Sequence, residues 1–177
     1  MTDEAFWQLL ARAVEQPGDR AERAEWLTEE LTRLPVAQTA DFARHLAAAR
    51  ARANTWPLWA AATVIRDGWC AEGGFRDFQF WLLTLGRADF DRVTADPDTL
   101  AELPQVQALA TPEADWPEWA ALDSVARDAQ RETTGADPTP PEATLRPPTQ
   151  AWPPADTAKH LPRLTALFAA PRPQPAM

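Results

Sequence analysis

Residues 55–65 read TWPLWAAATVI, and this stretch predicts an α-helix that is apolar on nearly every side. Thr55 is a suitable N-cap, and Pro57 is tolerated in the first turn because the amides there have no helical partner. A helix without a polar face is expected to be buried, so we place it at the centre of the core. Gly68 is expected to end it.

Helical periodicity continues on both sides of this stretch. Asp3 is the expected N-cap of the first helix, and Asp19 with Glu22 predicts a capping box for the second. Apolar residues at spacings of three and four form the predicted inward stripes, which are Phe6, Leu9, Leu10, Ala13 and Val14; Leu27, Leu31 and Leu34; Phe42 and Leu46; Phe75, Phe78, Trp81, Leu82 and Leu85; Phe90 and Val93.

Several local features are also predicted. The pair Gly73-Gly74 is expected to form a flexible joint, and a helix is expected from about Trp116 to Thr133, closed by Gly135. No segment alternates β-branched and aromatic residues, so no strand is predicted. The third helix is expected to present three arginines to solvent: Arg44, Arg50 and Arg52.

These patterns predict an all-α fold, with a compact multi-helix single domain over residues 1–135. Residues 136–156 are proline-rich and are expected to form an extended strap or linker. Apolar residues then return at helical spacing, which predicts a short docking helix over 157–170. Residues 171–177 are predicted to be a disordered tail.

Charge and composition narrow the class of protein. The net charge is −9, and residues 54–135 carry −8 of it, with 14 acidic residues against 6 basic ones. Such a domain repels phosphate backbones, so we expect no nucleic-acid binding. No signal peptide or membrane span is recognisable, and the single Cys70 fits a reducing compartment; we therefore expect a cytoplasmic protein. The arginine- and alanine-rich composition is typical of a GC-rich bacterial genome.

No catalytic set, metal site or cofactor motif is predicted. Cys70 needs a histidine to act as a nucleophile, and neither His45 nor His160 lies in a motif, so Cys70 is interpreted as a core residue. One cysteine and two distant histidines do not make a zinc site. A metal-dependent hydrolase using Asp89, Asp91 and Glu72 is kept as a hypothesis, although caps and solvated charge explain these acids more simply.

The nine tryptophans divide into two groups. Five fall on apolar stripes and are expected in the core: Trp7, Trp26, Trp59, Trp81 and Trp119. Four lie at helix starts or in loops, where a tryptophan either packs against neighbouring chain or anchors a partner: Trp56, Trp69, Trp116 and Trp152.

The order of these motifs resembles a bacterial family, domain-of-unknown-function family 4240. The shared motifs span nearly the whole chain, and in order they are Asp3 with Phe6-Trp7, Phe42-Ala43-Arg44-His45-Leu46, Leu58-Trp59-Ala60-Ala61-Ala62, a glycine-cysteine loop, Phe75 with Phe78, Trp81 and Leu82, Gly86-Arg87, Phe90, Asp96-Pro97-Asp98-Thr99-Leu100-Ala101 and Leu161-Pro162-Arg163-Leu164. The resemblance implies one helical domain that includes the C-terminal segment, and it implies no activity.

One departure from the family pattern bears on function. Similar proteins carry Ser and paired Asp after the cysteine and Arg after the second Phe, where this chain has Ala71, Glu72, Gly73 and Gln79. If those polar residues form a site in relatives, this chain keeps one acid of it. If those residues only cap a helix in relatives, Glu72 alone can provide the cap in this chain.

Two functions follow as hypotheses. The first is a non-catalytic protein-binding or regulatory module that holds a protein partner, for which the acidic surface favours a basic one. The second is a small-molecule-binding protein or small enzyme with a pocket near residues 69–79. The candidate pocket or partner surface consists of Trp56, Trp69, Cys70, Glu72 and Gln79.

Overall fold

The computed structural model describes residues 1–111, 116–136, 147 and 151–169. These residues contain helices and no strand, which confirms the all-α prediction. The α-helices are α1 (Asp3–Val14), α2 (Arg20–Thr32), α3 (Val36–Ala53), α4 (Trp56–Ile65), α5 (Glu72–Leu82), α6 (Arg87–Ala95), α7 (Pro104–Ala108), α8 (Val125–Thr134), α9 (Thr157–His160) and α10 (Pro162–Phe168). Short 3₁₀ helices cover Leu83–Leu85, Pro97–Glu102, Ala120–Asp123 and Pro154–Asp156.

The predicted helix caps are confirmed in two cases and corrected in one. The Asp19 carboxylate accepts hydrogen bonds from the amides of Ala21 and Glu22 at 2.8 and 2.9 Å, and the Glu22 carboxylate accepts one from the Asp19 amide. Thr55 caps α4. The cap of α1 is Thr2 instead of Asp3, which places the Asp3 carboxylate in the first turn, where the helix dipole favours an anion.

Helix α4 is buried on one face only, so the prediction of burial on every side is wrong. Its fully buried residues recur at spacings of three and four: Leu58, Ala61, Ala62 and Ile65. The intervening positions are half-buried, because α5, α10 and the 3₁₀ helix Pro97–Glu102 pack against α4 without enclosing it.

Two further predictions are also wrong, the flexible joint at Gly73-Gly74 and the start of the helix at Trp116. Gly73 and Gly74 form no joint, since both lie in the first turn of α5. Residues 116–119 are not helical, and α8 begins only at Val125. Long-range bonds replace the local helical ones at Trp119, whose amide donates to the Asp77 carbonyl and whose indole Nε1 donates to the Arg20 carbonyl. Gly135 ends α8 with φ 71°, as predicted.

Packing around α8 and α10 completes the core. Helix α8 packs against α2 and α3, while α10 packs against α4 and the 3₁₀ helix Pro97–Glu102. Leu161 and Leu164 are fully buried in that contact. The predicted strap at 136–156 lies mostly outside the described residues, and the predicted tail at 171–177 lies wholly outside them.

Candidate functional site

The loop between α4 and α5, residues 66–71, presents an exposed tryptophan and is called the Trp69 loop below. Trp69 is 70% exposed. In the described part of the chain the other exposed large hydrophobic residue is Val36, at 40%. Most of the remaining tryptophans are at least half-buried, so the exposure of Trp69 sets it apart.

The backbone of the Trp69 loop has a defined shape. Asp67 and Gly68 adopt positive φ values of 57° and 95°, a region that glycine enters freely and aspartate more readily than most residues. The Gly68 amide donates to the Thr63 carbonyl at 2.9 Å, which closes the end of α4. The turn therefore directs the chain away from the helix axis just before Trp69.

A layer of aromatic rings supports the loop. Trp59 stacks on Phe75 with ring centroids 4.6 Å apart, and Trp56 lies 5.2 Å from Trp59. The Trp59 indole Nε1 donates to the Cys70 carbonyl at 3.1 Å, so the layer holds the loop backbone directly. Trp56 is half-buried in this packing, whereas Trp69 is not part of it.

Arg66 fixes the other side of the loop. Its guanidinium lies 4.2 Å over the ring of Trp116. A Cβ atom added at Gly74 would come within 1.7 Å of Arg66 Nη1, so any side chain at position 74 would displace the guanidinium. The glycine in the first turn of α5 therefore provides room for Arg66 and does not act as a hinge.

Cys70 is not an activated nucleophile. Burial raises the pKa of its thiol, and this effect outweighs the nearby Arg66 guanidinium, which lowers it. The thiolate is the reactive form, and a raised pKa keeps it scarce near neutral pH. The two histidines are committed elsewhere: His45 stacks on Phe6, and His160 stacks on Trp152.

The other two predicted site residues lie on α5, where only one is next to the loop. Glu72 is in the first turn and follows the N-cap Ala71, which makes no side-chain capping bond. Gln79 is 4% exposed and lies two turns further along, about 10 Å by helix rise. Trp69, Cys70 and Glu72 are therefore near one another along the chain, Trp56 is linked to Cys70 through Trp59, and Gln79 is buried at a distance from them.

Sequence reasoning missed an ion pair between the buried Asp98 and the partly exposed Arg163, which seats the C-terminal helix. Asp98 is 4% exposed, and its Oδ2 accepts from Arg163 Nε at 2.8 Å and from the Arg163 amide at 3.2 Å. Its Oδ1 accepts from the Leu164 amide at 2.9 Å. Asp98 therefore caps α10 from 65 residues earlier in the chain. Both residues stood in the motifs noted above, but spacing alone does not show that they meet.

Burial and hydrogen bonding act on Asp98 in opposite directions. Burial by itself raises the pKa of the carboxyl, while bonds from the Arg163 side chain and from the Leu164 and Arg163 amides lower it, and the net pKa lies below its usual value. Arg163 also pairs with Asp96 at 3.2 Å and with Glu102. Because every donor comes from the chain itself, we interpret this cluster as structural.

Arg50 is not presented to solvent, contrary to prediction, although Arg44 and Arg52 are. Only 16% of its side chain is exposed, since it lies against Phe80 of α5 and beside Asp123 of the 3₁₀ helix Ala120–Asp123. Its guanidinium lies 4.7 Å over the Phe80 ring and 3.6 Å from Asp123. Burial is the main reason why the pKa of Arg50 is lowered.

Two of the three acidic residues proposed for a metal site, Asp89 and Asp91, are paired with arginines. Asp89 pairs with Arg92 at 2.8 Å, and Asp91 pairs with Arg52 at 2.6 Å. Within residues 1–111, 116–136, 147 and 151–169, no three His, Cys, Asp or Glu side chains cluster in a way that would hold a metal ion. This geometry gives the hydrolase hypothesis no support. Of the helices described, none is both long and apolar enough to cross a membrane.

The fold and the loop define an all-α protein in which one tryptophan of the described residues, Trp69, is exposed on a loop between two helices. The chain belongs to the family described as "Protein of unknown function (DUF4240)", whose sequence model matches residues 1–132. This confirms the resemblance for the motifs up to Ala101, whereas the motif Leu161-Pro162-Arg163-Leu164 lies beyond the matched range. No curated protein and no solved structure matches the chain significantly. Asp98 lies inside the matched range, and its partner Arg163 lies beyond it.

Proposed function

We propose that this chain is a non-catalytic protein-binding module that holds a protein partner on the Trp69 loop. The observation that carries the proposal is the 70% exposure of Trp69 on a loop whose Cys70 carbonyl is bonded to Trp59 and whose Arg66 side chain packs on Trp116. Leaving an indole in water is unfavourable for the isolated chain, since burying a large apolar side chain is worth about 1.5–3 kcal/mol. A partner that covers it recovers that free energy.

The rigidity of the loop favours tight binding. Tryptophan is enriched among the few residues that dominate binding energy at interfaces. Ordering a flexible loop on association costs free energy, and a loop that is already held by Trp59 and Arg66 avoids most of that cost. Trp69 therefore has the character of a preformed anchor.

The partner surface is expected to combine an apolar pocket with positive charge. Trp69 requires a pocket large enough for an indole. Asp67 is exposed two residues away and makes no ion pair with any residue that the structure describes. Together with the net charge of −9, this carboxylate favours a basic rim on the partner.

The alternative, a small enzyme or small-molecule pocket at residues 69–79, has less support. Its cysteine has a raised pKa, and its glutamine is buried about two helical turns from the loop. Those residues therefore do not converge on one open space.

The test compares the wild type with Trp69→Ala and with Val36→Ala, which removes the other large apolar side chain that is exposed among the described residues. Proteins captured by the immobilised wild type from source cells are identified by mass spectrometry, and one purified candidate is titrated calorimetrically. We expect Trp69→Ala to weaken its binding by about 2 kcal/mol or more, roughly 30-fold, and Val36→Ala to change it less than about twofold.

The stability of the variant serves as the folding control. Because Trp69 packs against little, Trp69→Ala should shift the free energy of unfolding by no more than about 0.5 kcal/mol. Equal affinities of wild type and Trp69→Ala for every purified partner would refute the proposal.

A further inference from the structure

A cavity of about 160 Å³ lies apart from the Trp69 loop, where α1, α2 and the end of α5 meet residues 116–119. Its apolar wall is formed by Val14, Trp81 and Trp119, and its polar wall by Arg20, Arg23, Thr84 and Glu118. Trp81 is 8% exposed and Trp119 is 3% exposed, so both indoles are held in the core while they line the cavity. An apolar cavity of about 150 Å³ accommodates benzene, so this one has room for a single six-membered ring.

The two arginines of this cavity differ from most others in the molecule. Arg12, Arg33, Arg52 and Arg92 each lie within 4 Å of a carboxylate. Arg20 and Arg23 have no such partner among the described residues, although both line the same cavity. In a protein with a net charge of −9, two arginines that line one cavity without an ion pair to a described carboxylate are unexpected, although Glu118 also lines that cavity.

The cavity walls are tied together. The Trp119 indole Nε1 donates to the Arg20 carbonyl at 2.9 Å, which joins residues 116–119 to the start of α2. The Arg23 side chain donates from Nε to the Gln16 carbonyl at 2.9 Å, which holds its guanidinium at the junction of α1 and α2 and leaves the terminal nitrogens for a ligand. Thr84 donates its hydroxyl hydrogen to the Trp81 carbonyl at 2.7 Å.

We infer that this cavity binds a small monocarboxylate that carries one planar ring. The ring lies against Trp81 and Trp119, and the carboxylate accepts hydrogen bonds from Arg20 and Arg23, whose fork geometry suits it. Arg20, Arg23 and Glu118 together give the lining a formal charge of +1, which one carboxylate balances and a second anionic group would exceed. This function is separate from partner binding on the Trp69 loop.

Benzoate is the probe, and benzamide is its neutral counterpart of the same shape. Each is titrated into the full-length protein while the tryptophan indole signals are followed by NMR. We expect saturable shifts of the Trp81 and Trp119 signals with benzoate, an affinity at least tenfold weaker for benzamide, and weaker benzoate binding as salt increases.

Three variants locate the site. Arg20→Gln and Arg23→Gln should each weaken benzoate binding about tenfold or more, which corresponds to the loss of one charge-assisted hydrogen bond. Arg44→Gln is the matched control, because Arg44 is 76% exposed, pairs with Asp41 and does not line the cavity; it should change the affinity less than twofold. Trp69→Ala should leave benzoate binding unchanged, which separates this inference from the proposed function.

Two results would overturn the inference. One is the absence of any saturable shift of the Trp81 and Trp119 indole signals at tens of millimolar benzoate. At that concentration even a weakly bound ligand of this size should occupy the cavity. The other is equal binding of benzoate and benzamide by the wild type, which would show that the arginines do not select an anion. Both are read on the wild type, so they hold even if an arginine variant fails to fold.

Discussion

At the scale of single residues, Ala71 occupies a position that favours a different side chain. It is the N-cap of α5, with extended backbone angles of φ −76° and ψ 166°, yet it offers no oxygen to the first-turn amides. The resemblance described under Sequence analysis implies a serine at this position in similar proteins. The capping interpretation of that polar loop is therefore the one that the geometry of this helix favours.

Ala71→Ser is expected to stabilise the protein by about 1 kcal/mol, because the new hydroxyl would accept a hydrogen bond from a first-turn amide of α5. Position 71 is exposed, so the added oxygen meets no packing conflict. Denaturant unfolding of both proteins measures the difference.

The converse change is the control. Asp19→Ala removes an existing cap and should cost about 0.5–2 kcal/mol. A serine variant that is no more stable than the wild type would show that the first turn of α5 gains nothing from a cap.

The lowered pKa of Asp98 predicts that the stability of the protein depends on pH. Since its pKa is lowered in the folded state, its ionised form stabilises the fold above the unfolded-state pKa of about 3.9, and this contribution is lost as pH falls through the lower folded-state pKa. Asp98→Asn should therefore cost about 2 kcal/mol at neutral pH. The difference from wild type should narrow progressively below about pH 4.

Unfolding of both proteins across pH 2–7 provides the measurement for Asp98. Asp89→Asn is the matched control, because Asp89 makes an exposed ion pair within α6 and such pairs contribute about 0–1 kcal/mol. A gap between wild type and Asp98→Asn that stayed constant with pH would contradict the role assigned to the charge.

At the scale of elements, α10 is the clearest case of a helix held by tertiary contact. It has seven residues, too few to be stable alone in water. Its first-turn amides are satisfied by Asp98, and Leu164 is fully buried against α4 and the 3₁₀ helix Pro97–Glu102. Short helices of this kind depend on the surface that receives them.

Leu164→Ala should destabilise the protein by about 2–5 kcal/mol, through lost burial and the cavity left behind. Leu167 lies on the same helix and is only half-buried, so Leu167→Ala should cost clearly less. Chemical unfolding of both variants gives the comparison. Equal losses would mean that α10 is not seated as described.

At the scale of the whole molecule, the family match and the packed domain do not coincide. The match covers residues 1–132, whereas Asp98 and the buried face of α4 contact α10 at residues 162–168. The domain therefore needs a segment that lies beyond the matched range.

A fragment of residues 1–136 is expected to be several kcal/mol less stable than the full chain, because it leaves Asp98 without Arg163 and uncovers the seat of Leu161 and Leu164. Thermal unfolding measures the loss, and a peptide of residues 151–169 added in trans should recover part of it. A fragment as stable as the full chain would show that α10 contributes nothing to the fold.

The helices and most of their inward stripes were predictable because helix periodicity and capping are local. The capping box at Asp19 and the C-terminal glycine at position 135 depend on residues within one turn, and the structure confirms both. The start of α8 was not predictable in this way. Trp119 bonds to Asp77 and Arg20, and such distant partners leave no mark in local spacing.

The features of the candidate sites also divide into those that depend on local sequence and those that depend on tertiary contacts. The sequence by itself determined an all-α chain, its family, and the Trp69 loop as a tryptophan between two helices. Only the tertiary structure decided that Trp69 stays exposed while Trp56 packs, that Gln79 is buried, and that Arg20 and Arg23 share a cavity. The physical reason is that periodicity specifies which face of a helix is apolar, whereas exposure and charge pairing depend on which elements cover that face.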